Sequence, residues 1–343
     1  MGTVGAARKL ASAAAFGGGG LSVLGAGLYG VLVAEAKLAR RAIGTHDGTT
    51  PPDATGWYGR GRPGPAIKIA LLGDSMAAGY GVDRVEDTPG AHIGSSVAAQ
   101  AQRRVHLRAV AVVGAKSRDL DSQIDKILGT RPDVAIILIG GNDVTHTVAP
   151  SASVRFLAEA VRRLHDAGTE VVVGTCPDLG TIRPIAPPLK QVARQWSRRL
   201  AAAQTITVVE EGGRTVSLGD ILGPEFDAAP ALLFGPDRFH PSADGYKQVA
   251  SVLIPSCLAA LGLMPDDEIK PEPFRGEGVL PVATAAAAAV KTAGTELGGT
   301  EVSGSQRGLR GRWVELRHRR RTPSADAETP EESDTSSTEA VEG

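Results

Sequence analysis

The sequence predicts an α/β fold, a doubly wound three-layer α/β/α sandwich built on a parallel sheet, and three observations predict it. From Ala66 to Leu263 short aliphatic runs alternate with helical stretches, the order in which strands and right-handed crossover helices are laid down. The runs AIKIALL, VHLRAVAVV, PDVAIILI, TEVVVGT and TITVVE are almost continuously apolar, as strands covered on both faces must be. Several of them end in glycine-rich polar corners, and in such sheets chemistry gathers at the carboxyl ends of strands.

The connecting elements follow the helical period. GSSVAAQAQRR, SRDLDSQIDKIL and SASVRFLAEAVRRLHDAG read as helices. In the last, Val154, Leu157, Ala158, Val161 and Leu164 share one face, Ser151 or Ser153 is placed to cap the start, and Gly168 stands where a C-terminal cap glycine belongs. A terminal helix presents Tyr246, Val249, Leu253, Cys257 and Leu261 on its apolar face. Trp196 and the arginines of QVARQWSRRL decorate another amphipathic helix.

Composition narrows the function. The 343 residues are 42% hydrophobic but only 4% aromatic, so small aliphatic side chains must fill the core. Thirty-seven basic residues against 38 acidic ones leave a formal charge of -1, and no bulk field argues for nucleic acid as a partner. Cys176 and Cys257 form no C-x-x-C pair, which argues against a zinc site or redox motif; they read as buried free thiols.

Outside residues 66–263 the chain changes character. Residues 1–9 form a basic flank carrying Arg8 and Lys9, and residues 10–36 hold a charge-free run from Leu10 to Ala34 that is long enough to span a bilayer. That run reads as a membrane anchor or, with Ala34-Glu35-Ala36 as a cleavage site, as a signal peptide. Lys37, Arg40 and Arg41 on its far side leave the topology open. Gly25-Ala26-Gly27-Leu28-Tyr29-Gly30 imitates a dinucleotide-binding turn, but no second strand ending in an acid follows, and no cofactor is expected. Residues 37–65 are rich in glycine and proline and read as a linker. Residues 264–343 read as a low-complexity, largely disordered tail with one loose helix in VATAAAAAVKTAG. Its arginine block at 307–321 precedes an acidic end and is a candidate for contact with anionic lipid.

The polar corners supply the parts of acyl transfer. A serine hydroxyl needs a base, the base needs an orienting acid, and the carbonyl oxygen needs donors where negative charge develops. The first strand delivers Gly73-Asp74-Ser75, the second Gly114, and the third Gly140-Gly141-Asn142-Asp143, while Asp237 stands three residues before His240 ahead of the terminal helix. Ser75 is the expected nucleophile, His240 the general base and Asp237 its orienting acid. The N–H groups of Ser75 and Gly114 and the side-chain amide of Asn142 are the expected oxyanion donors. Gly73, Asp74, Gly140 and Asp143 support them. His46, His92, His106, His146 and His165 stand singly without ligand spacing, so no metal is expected; His146, close after Asn142, is placed to line the pocket.

At these residues the chain resembles the SGNH, or GDSL-type, serine hydrolases. Ser75, Gly114, Asn142 and His240 match the four residues that name the family, and Met76 replaces the usual leucine of its first block with a residue of similar volume. The resemblance covers about residues 66–263 and implies a flavodoxin-like sandwich that hydrolyses esters, thioesters or acetylated sugars without a metal. The expected function is a carboxylic ester hydrolase, anchored with its hydrolase domain outside the cytoplasm, acting on short acyl esters through an acyl-serine. The Pro-rich loop CPDLGTIRPIAPP is the expected lid or specificity element. Two alternatives use the same residues or only the same fold: an acetyl esterase or acetyltransferase working on cell-wall glycan, and a non-catalytic envelope scaffold.

Overall fold

Strands covered on both faces send alternate side chains to opposite sides, and here the two sets fill separate cores. Ile67, Ile69, Leu71, Ile136 and Val172 pack on one face against Ile93, Val97, Val249 and Leu253. Ala70, Leu72, Ala135, Ile137, Val171 and Val173 pack on the other against Leu120, Ile124, Leu157 and Val161. Each such aliphatic side chain fully buried contributes about 1.5–3 kcal/mol, which makes the helices on both faces obligatory covers.

The computed structural model describes residues 30–35, 37–38, 50–182, 184–219, 230–263, 279–299 and 313–318. The strands are β1 (Gly56–Tyr58), β2 (Ile67–Gly73), β3 (Val105–Ala109), β4 (Val134–Leu138), β5 (Glu170–Gly174), β6 (Arg214–Val216), β7 (Val279–Pro281), β8 (Thr295–Gly299) and β9 (Trp313–His318). They form one sheet in the order β1-β3-β2-β4-β5-β6-β8-β9-β7. Its centre, β3-β2-β4-β5-β6, is parallel. Numbered along the chain, that centre runs 2-1-3-4-5, the flavodoxin-like order, and the strand order reverses between β2 and β4. The helices are α1 (Ser75–Ala78), α2 (Pro89–Ala101), α3 (Leu120–Asp125), α4 (Gly141–Thr145), α5 (Pro150–Asp166), α6 (Leu189–Glu210), α7 (Pro230–Leu233), α8 (Ala243–Ala260) and α9 (Val282–Ala289). The three-layer α/β/α class is as expected.

Several boundaries differ from the sequence reading. TITVVE is not a strand; it completes the 22-residue α6, where Thr205 and Val208 lie on the buried face with Leu200 and Ala201. Tertiary burial there overrides the β preference of branched side chains, and the strand is the shorter Arg214–Val216. Neither Ser151 nor Ser153 caps α5, whose N-cap is Ala149; Gly168 does take the left-handed conformation, at φ 76°. The linker reading of 37–65 fails at β1, which pairs antiparallel with β3.

The tail reading of 264–343 fails in part. β8 pairs antiparallel with β6, and β9 and β7 continue the sheet beyond it. Ala285, Ala289, Leu297 and Val314 form a small core with Val209 of α6. The remaining residues of that stretch, with its arginine and acidic blocks, lie outside the described residues. So does most of the uncharged N-terminal run, and among the described residues no helix is long and apolar enough to cross a membrane.

Candidate active site

The corner after β2 is dictated by crowding. Gly73 sits at φ 137°, and a Cβ there would lie 1.8 Å from the carbonyl oxygen of Leu138, so no other residue fits. The next N–H, of Asp74, donates to that same oxygen at 3.0 Å. Asp74 then caps α1, accepting the N–H of Met76 at 3.0 Å. Ser75 is thereby fixed as the first helical residue, where a backbone N–H has no partner within the helix. Its side chain is buried but for 7%, at the edge of a cavity.

His240 arrives from a tight turn before α8. Asp237 Oδ1 accepts the N–H groups of Phe239 and His240, each at 3.0 Å, and Arg238 takes a left-handed φ of 55°. The turn folds the carboxylate back on the ring, with His240 Nδ1 2.5 Å from Asp237 Oδ2. The opposite nitrogen, Nε2, is 2.9 Å from Ser75 Oγ. A neutral imidazole that donates through Nδ1 must accept at Nε2, which aims the serine proton at it. Tyr80 and Phe239 hold the ring from two sides, with centroids 4.7 and 4.8 Å away. Burial pushes the Asp237 carboxyl up, but the hydrogen bonds from the His240 ring and the Phe239 and His240 N–H groups outweigh it and leave it below its ordinary value.

Asn142 is the second residue of α4 and lines the cavity together with Ser75 and His240. Gly114 lies in the turn after β3, at φ 84°, outside the cavity lining. Among the described residues, the N–H of Ser75, the N–H of Gly114 and the side-chain amide of Asn142 donate to no protein atom. Asp143, 1% exposed, ties the two loops: its carboxylate accepts the Ser117 N–H and hydroxyl, both at 3.1 Å, and the Ser153 hydroxyl at 2.8 Å. Gly140, at φ 133°, starts α4 against Cys176 and Gln204. Burial raises the Asp74 carboxyl to about 6, against the N–H bonds from Met76 and Gly140 and the nearby His240, and Asp143 raises it further.

The remaining expectations divide. Pro177, Asp178, Leu179, Thr181 and Ile182 of the Pro-rich loop line the cavity. His146 does not; its Nδ1 lies 2.9 Å from the Asn142 carbonyl oxygen, on the surface. Cys176 and Cys257 are buried free thiols, the latter pushed up to about 12 by burial. Among the described residues no group of acids, histidines or cysteines is placed to hold a metal.

Two buried glutamines escaped the sequence reading. Gln123 exchanges two hydrogen bonds with Gly73, N–H to Oε1 at 2.8 Å and Nε2 to carbonyl at 2.9 Å. Gln204 donates to the Ile139 carbonyl at 2.9 Å and accepts the Cys176 N–H at 2.7 Å. Each braces the end of a strand that delivers a site residue. Their signal was present: a glutamine among apolar residues on the covered face of a helix must find a polar partner inside.

Comparison with known proteins bears on the same residues. Residues 71–248 match the GDSL-like lipase/acylhydrolase family. The chain is 40% identical over 278 residues to a GDSL-like esterase of Mycobacterium tuberculosis, covering 78% of this chain and 87% of that protein. Among solved structures, an acetylxylan esterase from Geobacillus stearothermophilus is 18% identical with a TM-score of 0.44, covering 58% of this chain and 95% of that one. An α/β hydrolase enzyme from the metagenome of Lake Arreo, Spain, is 20% identical with a TM-score of 0.45, covering 58% and 97%.

Proposed function

The chain belongs to the GDSL-like lipase/acylhydrolase family and is a serine ester hydrolase, and from that premise we propose that it cleaves short-acyl esters through an acyl-enzyme on Ser75. The observation that carries the reading is the 2.9 Å separation of His240 Nε2 and Ser75 Oγ, with Asp237 behind the ring. Ser75 Oγ attacks the ester carbonyl carbon as its proton passes to Nε2. Asp237 keeps the ring in the accepting tautomer and stabilises the imidazolium. The N–H of Ser75, the N–H of Gly114 and the Asn142 amide receive the oxyanion. Collapse breaks the ester C–O bond, and the proton on Nε2 goes to the leaving alkoxide. Water then repeats the sequence on the acyl-serine, giving the carboxylic acid and free Ser75.

Acyl length follows from space. The cavity beside Ser75 measures about 50 Å³ and is lined by Leu138, Ile182, Leu218, Phe234 and Phe239. A cavity this small favours a short acyl chain. An acetyl group borne on a glycan fits the same cavity, so an acetyl esterase is the second reading. The uncharged run from Leu10 to Ala34 behind Arg8 and Lys9 supports an envelope location with the hydrolase outside the cytoplasm. Purified wild type should release p-nitrophenol from the acetyl and butyryl esters, and Ser75→Ala should not; equal rates from both end the proposal. Removal of residues 1–43 should release the chain from membranes with turnover intact, and a truncated chain that still sediments with membranes contradicts the anchor.

A further inference from the structure

We propose that Leu218 is the residue that sets the longest acyl chain this enzyme accepts; the inference rests on the ester-hydrolase reading above and deepens it. The cavity floor is made where two leucines meet over a glycine. Leu138 and Leu218 are each 1% exposed, and both close on Gly174 at the end of β5: a Cβ there would lie 2.4 Å from Leu138 Cδ2 and 3.0 Å from Leu218 Cδ1. Leu138 ends β4, the strand that runs directly into Gly140-Gly141-Asn142-Asp143, so a change there bears on the catalytic loop as well as on the cavity. Leu218 stands after β6, outside the proton-transfer residues, and lines the cavity.

What keeps Leu218 from yielding is the segment that the sequence presents as tail. The Ser217 N–H donates to the Thr295 carbonyl at 2.9 Å, and the Gly294 N–H donates to the Ser217 carbonyl at 2.8 Å. One residue on, Gly219 is so close to α9 and its end that a Cβ would lie 2.6 Å from the Val290 carbonyl oxygen. The Gly219 carbonyl in turn accepts the Asp178 N–H at 3.0 Å, and Asp178 belongs to the Pro-rich loop that also lines the cavity. Val290 itself packs in one cluster with Leu179 and Ile182 of that loop. The floor residue is therefore clamped on both sides by backbone hydrogen bonds, and a longer acyl chain meets a wall that cannot shift aside.

The test is a ratio, so loss of folded protein cancels. For the full chain, kcat/KM is measured on p-nitrophenyl acetate and hexanoate for wild type, Leu218→Ala, Leu218→Val and the volume-conserving Leu218→Met. The hexanoate-to-acetate ratio should rise about tenfold or more in Leu218→Ala, the order that burying two further methylenes supplies. It should rise less in Leu218→Val and stay near wild type in Leu218→Met. An unchanged ratio in active Leu218→Ala and Leu218→Val overturns the role of Leu218 and leaves the hydrolase reading standing. A wild-type chain inert on both esters overturns the hydrolase reading and this inference with it.

Discussion

Nε2 of His240 stands 2.9 Å from Oγ of Ser75 across 165 positions of sequence, whereas its other nitrogen meets Asp237 only three residues away. The local contact is a property of one turn. The distant one depends on the whole parallel sheet, because Ser75 hangs from the end of β2 and His240 from the turn before α8. Geometry at the site is thus a readout of how well strand ends are held.

Asp237→Asn keeps the shape of the turn but reverses the hydrogen bond that selects the ring tautomer. The expected loss in kcat is about 10³–10⁴-fold with folding retained. Because the carboxyl lies below its ordinary value in the folded chain, its contribution to stability is full above the ordinary carboxylate range and is lost only as pH falls through the folded value. Denaturant melts of wild type and Asp237→Asn should therefore diverge at neutral pH and converge in strong acid.

Asn142→Ala removes one oxyanion donor without touching the serine–histidine contact. It should cut kcat by about 10²–10³-fold and leave KM near wild type. A change confined to KM would assign Asn142 to substrate binding.

Asp143→Ala strands the Ser117 N–H and hydroxyl and the Ser153 hydroxyl inside the protein. With about 1–3 kcal/mol for each buried donor left unpaired, urea denaturation should reveal a loss of several kcal/mol. Ser153→Ala leaves the acceptor with its other donors and should cost about 1 kcal/mol. Equal effects from the two substitutions would contradict the role of Asp143 as the common acceptor.

Asp74 reverses the usual pH sign. Its folded value, about 6, lies above the ordinary 3.8, so between these two pH values the folded chain holds more proton than the unfolded one and stability falls as pH rises. Asp74→Asn should flatten that slope. Melting temperatures taken across pH 4–7 read the difference, and identical slopes in the two proteins would refute it.

How much of this was written in the sequence depends on distance. The parallel strands were legible because burial on both faces leaves unbroken aliphatic runs, and the site was legible because Ser75, Gly114 and Asn142 follow the ends of such runs while Asp237 and His240 stand three residues apart just ahead of the terminal helix. TITVVE has the same composition as a strand and was settled only by its place at the end of α6, with Thr205 and Val208 facing the core. The added strands β8 and β9 were hidden for the opposite reason. TELGG and WVELRH carry charges and glycines inside the run, and their apolar face is narrow, built on Leu297 and Val314. Gln123 and Gln204 were visible as misplaced polar residues, but their partners are backbone groups 50 and 65 positions away. No local pattern names such partners. Nothing in the sequence around Leu218 marks its contact with Gly174, 44 positions away.

The most direct test is to trap the acyl group. The full-length chain is mixed with p-nitrophenyl acetate, quenched in acid during turnover, digested and mapped by mass spectrometry. The account predicts an acetyl mass on the peptide bearing Ser75, and neither adduct nor turnover in Ser75→Ala. Steady hydrolysis with Ser75 unmodified, carried on at the same rate by Ser75→Ala, would contradict it.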